Sequence, residues 1–359
     1  VVAGSIQSTI ANPSLGWEKG KQIDAGFELG LFQNLLFFTV DYYDKLTSDL
    51  LLFVPVPQST GFTDALRNIG SVRNKGVELS LQTRNIKSKD FLWTSNLNIS
   101  FNKNKVETLG LTGAPIIAAQ RAVENDLTHI TKLCSPLGSY YGYIFDGVFA
   151  NQQELDKYPS LPGTLVGDAR FRDINNDGSI TIEDQTVIGD NYPDFTYGIS
   201  NTISFKGFDL NVLLQGVQGV EVLNLAKRTP YRDIGASFSS YWKSPAEPGD
   251  GRNFQPGESS NNRLISSWYV EDASYFRIKN VTLGYRLPSK LFGRTDVVQD
   301  ARLYMNVQNL HTFTKYTGYN PDVNTTEGNP YISSSLTPGI DYGSYPFIRT
   351  ITFGLNLVF

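Results

Sequence analysis

The sequence predicts an all-β protein, an antiparallel sheet closing into a membrane-spanning β-barrel with long loops at one end. Three observations carry that reading. Apolar and polar residues alternate over many segments of ~9–11 residues, the period of a strand with two unlike faces. Short turns alternate with long polar connections. The composition is 13% aromatic, with 22 Phe, 19 Tyr and 32 Gly against one Met and one Cys, which fits many strands joined by turns.

The segments follow in order. QIDAGFEL places Ile23, Ala25, Phe27 and Leu29 on one face and Gln22, Asp24, Gly26 and Glu28 on the other. LLFFTVDYY repeats this with Leu36, Phe38, Val40 and Tyr42, and GVELSLQ with Val77, Leu79 and Leu81. FLWTSNLNISF, YGISNTISF, GFDLNVLLQ and ARLYMNVQN continue the pattern. In YFRIKNVTLGYRL the phase slips between Ile278 and Val281, which predicts a bulge near Lys279 or Asn280. RTITFGLNLVF closes the chain with Ile351, Phe353, Leu355, Leu357 and Phe359 opposite Thr350, Thr352, Gly354 and Asn356. About ten strands are expected. FQN and KGF make short turns, and long connections are expected over 44–75, 103–137, 150–193, 218–266 and 316–345. Tyr42, Tyr43, Tyr140, Tyr141, Tyr143, Tyr342 and Tyr345 lie near strand ends and suit an interfacial girdle. A soluble β-sandwich accounts for the alternation as well; the small polar opposite face suits a wet lumen better.

Charge and cysteine usage exclude several classes. Thirty-one Lys+Arg against 35 Asp+Glu leave −4, without a basic run to follow a phosphate backbone, so nucleic acid is not a partner. Cys134 alone makes neither a disulfide framework nor a cysteine zinc site, and His129 nearby is a weak pairing for a catalytic thiol. No stretch approaches the ~20 apolar residues of a membrane helix. The chain opens VVAGSIQST, without a leader, which suggests an upstream part.

RDINNDGSITIED, residues 172–184, has the spacing of a calcium loop. Asp173, Asn175 and Asp177 supply oxygens at positions 1, 3 and 5, Gly178 permits the turn at 6, and Ser179 offers a carbonyl at 7. Thr181 stands at 9 and Asp184 at 12, one carbon shorter than the usual Glu. The expected cofactor is one structural Ca²⁺ that pins a long surface loop. Other constellations carry less. Nothing pairs Glu154, Glu183, Glu221 or Glu271 for glycoside hydrolysis, His129 and His311 have no ligand spacing, and GVQG lacks the helix of a phosphate cradle. No enzymatic activity is expected. Trp242, Trp268 and Tyr269, in a loop rich in Ser, Pro, Gly and Asn, are candidate substrate contacts that could stack on sugar rings or serve as the loop's core.

In order along the chain, the blocks NPSLGWEKGKQIDAGFELGLF (12–32), FFTVDYYDKLTSDLLL (37–52), NIGSVRNKGVELSL (68–81) and FLWTSNLNISFNKNKV (91–106) resemble a SusC/RagA-type TonB-linked outer-membrane transporter. SYYGYIFDGVF (139–149), residues 171–216, SYFRIKNVTLGYRLP (274–288), 301–323 and 341–359 extend the resemblance to the end. It implies the C-terminal part of a 22-stranded barrel in the bacterial outer membrane, over 1–359, with plug domain and N-terminal strands absent from this chain. It also implies TonB-energised uptake of glycans or peptides, a SusD-like surface lipoprotein as partner, TonB contact through the absent N-terminal part, and lipid around the wall. The competing expectation is a secreted, calcium-stabilised β-sandwich that binds carbohydrate.

Overall fold

The structure, a computed structural model, describes residues 10–62, 64–110, 112–119, 127–228, 240–257, 261–288, 298–323 and 336–359; the opening stretch VVAGSIQST lies outside them. Nine long strands form one sheet: β1 (Lys19–Leu31), β2 (Leu36–Ser48), β3 (Ser71–Lys87), β4 (Phe91–Thr108), β5 (Phe195–Phe205), β6 (Phe208–Gln218), β7 (Tyr275–Arg286), β8 (Asp300–Thr314) and β9 (Thr350–Val358). Each pairs antiparallel with the next, so sheet order follows chain order. Turns over 32–35, 88–90 and 206–207, with the somewhat longer link 287–299, therefore gather at one end. The connections 49–70, 109–194, 219–274 and 315–349 gather at the other. Phe32, Gln33 and Asn34 adopt positive φ (52, 57 and 63°) to turn the first hairpin.

The pairing register aligns the faces across strands. One row reads Phe27, Val40, Leu79, Ile99, Tyr197, Gly216, Phe276 and Phe313. One residue along, the opposite face reads Glu28, Thr39, Ser80, Asn98, Gly198, Gln215, Arg277 and Thr312. Residues far apart in sequence thus share a face, because paired residues lie on the same side of the pleat. Phe353 is 76% exposed and Phe27 57%, and no second sheet covers the apolar face among the described residues. The sandwich alternative fails on that point, since a sandwich buries its apolar rows against a facing sheet.

The phase slip is a bulge. Ile278 pairs His311 and Asn280 pairs Gln308, so Lys279 has no rung of its own, and Leu213 and Leu214 absorb the shift on β6. Val281 then takes the outward position that a regular strand would have given to Asn280.

Strand number is close to the expected ten, but strand length differs. The main sheet holds nine strands, and β3 and β4 run to 17 and 18 residues. A membrane crossing needs only ~9–11. The excess lies at the long-loop end, where outward positions turn from apolar to Arg73, Lys75, Lys103 and Lys105. The ladder continues past the hydrocarbon, and polarity there hid it from the apolar period.

The packed interior sits in the connections. Leu52, Val72, Val106, Leu109, Ile116, Leu137 and Leu336 form one cluster where the 49–70, 109–194 and 315–349 connections meet the strand ends. Tyr143, Val148, Phe171, Ile180, Trp242 and Phe254 form a second, and Tyr140, Leu223, Leu225, Ile265, Tyr269 and Ile340 a third. Short strands organise them, among them a four-stranded sheet from 116–119, 127–131, 139–142 and 186–189. The described parts of the long loops therefore fold into a packed cap at the barrel's end. Of the expected girdle, Tyr42 faces outward and is 41% exposed, whereas Tyr140 is fully buried in the cap; SYYGYIFDGVF belongs to the cap and not to a spanning strand.

Candidate functional site

Two surfaces can meet a solute, the inner face of the sheet and the cap above it. The inner face is a lattice of hydrogen bonds. The Tyr43 hydroxyl donates to Asn102 Oδ1 (3.0 Å), and Asn74 Oδ1 accepts from Asn104 Nδ2 (2.9 Å). Asn306 Nδ2 donates to Asn280 Oδ1 (2.6 Å) and Thr282 Oγ1 (2.7 Å). Nearer the short-turn end, Arg302 grips Asp209 with Nε at 2.8 Å and Nη2 at 2.5 Å, a fork geometry that fixes both side chains against the wall. Gly284 makes room for it, since a Cβ there would collide with the Arg302 guanidinium and the Asp209 carboxylate.

Arg277 links wall and cap. It projects from the inner face of β7, its side chain fully buried, with Nε donating to Thr312 Oγ1 (2.9 Å) and Nη1 to Asp322 Oδ2 (3.4 Å). Its guanidinium lies 4.1 Å from the centre of the Phe347 ring, a cation–π contact strengthened by the exclusion of water. Among the described residues Nη2 has no hydrogen-bond partner. Reading the strand as alternating places Arg277 inward but gives no sign of its burial, because the residues that cover it come from the distant 315–349 connection.

Within the cap, ionisable groups are held by burial. His129 is wholly enclosed between Thr128 Oγ1 (2.8 Å, to Nδ1) and the Pro338 carbonyl (2.9 Å, to Nε2), and burial depresses its pKa to about 4 despite the carbonyl contact. Both ring nitrogens are thus engaged, so His129 is no base for Cys134, which is exposed. Glu221 and Asp190 are both pushed above the usual carboxylate range, first by burial and then by neighbouring acidic charge, with the Asp190 amide donating to Glu221 Oε2 (3.0 Å). Burial lowers the Lys227 pKa against the opposing pull of Glu271, 3.2 Å away. Glu154 accepts from the Ala150 amide (3.1 Å), and Glu271 is taken up by Lys227 and Thr317. These acids are fasteners of the cap.

The 173–184 loop adopts the turn its spacing predicts. Gly178 has φ 84° and Asn176 φ 59°. Asp173 accepts from the amides of Asn176 (2.6 Å) and Gly178 (2.9 Å), Asn175 from Asp177 N (3.0 Å), and Asp177 from Ser179 N (2.8 Å). Asp184 is fully buried and accepts from the amides of Ile174 and Thr181, both at 2.8 Å. Its burial raises the pKa, but the backbone donors outweigh this and keep the carboxyl below the usual range. Thr181 caps the short turn Ile182–Asp184 through its side chain, and Ile180 (4% exposed) anchors the loop in the second cap core. The donors suit a hard cation, with side-chain oxygens of Asp173, Asn175 and Asp177 at the exposed rim. Among the described residues no three Asp, Glu, His or Cys side chains already converge as a cage.

Trp242, Trp268 and Tyr269 are brought together, but in the cap's interior. Trp242 is 8% exposed, lies against Gly167 and donates Nε1 to the Ala150 carbonyl (3.1 Å). Tyr269 is 1% exposed with its hydroxyl on the Asn262 carbonyl (2.8 Å). Trp268 is half-buried, packed on Phe254 (4.6 Å) and beneath the Lys227 ammonium (3.7 Å). No ring face of Trp242 or Tyr269 is open to a sugar. Gly, Pro and Asn around them signal turns, and turns here enclose a core.

Comparison with known proteins agrees with this architecture. The family model described as TonB dependent receptor-like, beta-barrel matches residues 3–310. TonB-dependent receptor P3 of Formosa agariphila is 37% identical over the whole chain, which spans 36% of that protein. TonB-dependent receptor SusC of Bacteroides thetaiotaomicron is 27% identical over 97% of the chain and 32% of its own length. The chain thus spans about a third of the curated relatives it matches. Among solved structures, that of the RagAB peptide transporter superposes with a TM-score of 0.77 at 25% identity, covering 98% of this chain and 36% of its counterpart.

Proposed function

Since the chain belongs to the TonB-dependent receptor-like β-barrel family of the outer membrane, we propose that it forms part of the wall and the outer cap of a nutrient importer. A glycan or peptide fragment passes along the polar inner face without covalent chemistry, with energy delivered through TonB and a SusD-like lipoprotein closing the mouth. What supports this best is the opposition of faces: one side of the sheet is a hydrogen-bonded polar lattice, the other an apolar surface covered by nothing among the described residues. β1 and β9 each leave one edge without a partner among the described residues. Open edges in hydrocarbon cost several kcal/mol per unpaired group, so the ring is completed by strands of the longer receptor. This chain is then its C-terminal barrel portion, and plug and N-terminal strands lie in the remainder.

Uptake tests this reading. Cells expressing the full receptor should accumulate labelled oligosaccharide or oligopeptide, and lose that accumulation both on deletion of the receptor and on dissipation of the proton-motive force. Accumulation that persists under both conditions contradicts it.

The same reading includes one structural Ca²⁺ held by Asp173, Asn175, Asp177, the Ser179 carbonyl and Asp184, with Thr181 at the remaining loop position. Its chemistry would be electrostatic, drawing acidic side chains into one turn. Binding that favours the ordered loop stabilises it by mass action. Asp173→Ala with Asp177→Ala should therefore raise proteolytic nicking within 150–190 while the barrel stays folded, and a chelator should do the same to the parent protein. Nicking that ignores both treatments removes the metal from the account.

A further inference from the structure

The outward rows at the long-loop end of β1–β4 change character within two residues. Tyr42, Val77 and Phe101 lie on one row. The next outward row reads Ile23, Asp44, Lys75 and Lys103, and the one after it Lys21, Leu46, Arg73 and Lys105. Five cations thus stand on these two rows, with Asp44 the one acid among them. Arg73 Nη2 lies 2.6 Å and Lys75 Nζ 3.5 Å from Asp44 Oδ2, and Lys105 Nζ lies 3.3 Å from Glu107 Oε2. Lys21 and Lys103 are exposed and form no ion pair among the described residues. Two further observations fix the setting. The rows begin one outward position beyond Phe101, from which ring contacts run sideways along the same outer face onto the neighbouring strands, Phe101 to Phe195 (5.6 Å) and Tyr197 to Phe276 (6.5 Å), and aromatic girdles mark the hydrocarbon boundary. On the Phe101 row β5 and β6 carry Phe195 and Gln218, and β5 starts below the height of the two charged rows.

We propose that this sector binds the phosphate groups of anionic glycolipid in the outer leaflet. The inference rests on the wall facing lipid, as set out above. Cations fixed at headgroup height meet phosphates before any other anion, and each contributes roughly a fivefold gain in attraction to an anionic surface. Asp44 orients Arg73 and Lys75 side by side, and their remaining N–H groups are left for the leaflet. The patch is thereby an ordered set of donors rather than a loose cloud of charge. The long-loop end matters as well: it carries the cap, so a lipid clamp there steadies the ground on which the cap rests.

The test uses the full receptor, purified from outer membranes in mild detergent, with bound phosphorylated glycolipid counted by native mass spectrometry. The combined variant Lys75→Gln, Lys103→Gln and Lys105→Gln should lose at least tenfold of that glycolipid and keep the heat-modifiable mobility of a folded barrel. Lys45→Gln, at the same height but on the inner face, should retain it. In nanodiscs the parent should bind phosphatidylglycerol in preference to phosphatidylcholine, and the combined variant should not. Equal glycolipid on the parent and the folded variant overturns the proposal, as does equal loss in Lys45→Gln. Loss of a copurifying protein with lipid unchanged also overturns it and marks the sector as a protein contact. Loss of uptake in the parent's deletion-rescue assay with glycolipid binding intact would instead strike the transport reading alone.

Discussion

Leu355→Arg should abolish assembly of the receptor. Leu355 sits mid-strand in β9, pairs with Leu303 of β8, and is 53% exposed on the apolar face. Its outward neighbours Phe353 and Leu357 are exposed as well. A guanidinium at the bilayer midplane costs roughly 2–4 kcal/mol in barrels of this kind, and β9 is an edge of the sheet, where ring closure depends on a well-placed final strand. The measurement is the folded, heat-modifiable fraction in outer membranes, expected to fall at least tenfold. Asn356→Arg, one residue along and on the wet face, should assemble near normally. The sign of the difference matters more than its size, because a soluble sandwich would also suffer from a guanidinium buried at position 355 but would not spare that neighbour for the same reason.

Trp242→Ala should unfold the cap and leave the wall intact. The indole fills the second cap core with Tyr143, Phe171 and Phe254, packs on Gly167 and satisfies the Ala150 carbonyl. Truncating a buried Trp leaves a cavity worth about 3–5 kcal/mol, and the carbonyl loses its donor at a further ~1–3 kcal/mol. Trp242→Phe should recover most of the packing without the hydrogen bond. Limited proteolysis of 145–171 and 240–257 reads the outcome: rapid cutting in Trp242→Ala, slower cutting in Trp242→Phe, and the parent resistant. If both variants resisted protease while uptake alone fell, the ring would be a substrate contact and not a core residue.

The spanning strands were legible because lipid and lumen impose opposite demands on alternate residues. Nothing but the pleat is needed to read Phe353, Leu355 and Leu357 against Thr352, Gly354 and Asn356. The bulge was legible for the same reason, as a lost beat between Ile278 and Val281. The upper halves of β3 and β4 were not, since above the membrane the outward face turns to Arg and Lys while the inward face carries Asn74, Asn102 and Asn104, so Lys75 or Lys103 looks like loop. The cap was opaque for a different reason. Its cores join residues from several connections, Leu52 with Leu137 and Leu336 for example, and no local period records contacts of that range. For Trp242 and Tyr269 the sequence leaves sugar contact and loop core side by side on this ground: an aromatic among Gly and Ser can be assigned to neither until the chain that covers it is known. The 173–184 turn lies between these cases, with Gly178 and its flanking Asx residues folding locally as their spacing demands, whereas the buried seat of Asp184 depends on packing beneath it.

Site-directed spin labelling of β9 gives the most direct measurement. With Cys134 replaced by Ser and single cysteines at Phe353, Leu355, Thr352 and Asn356 of the full receptor in liposomes, collisions with oxygen and with a water-soluble nickel chelate report each environment. A wall between lipid and lumen requires high oxygen and low nickel accessibility at 353 and 355, with the reverse at 352 and 356. Nickel access at all four positions, or immobilised labels at 353 and 355 sheltered from both reagents, contradicts it.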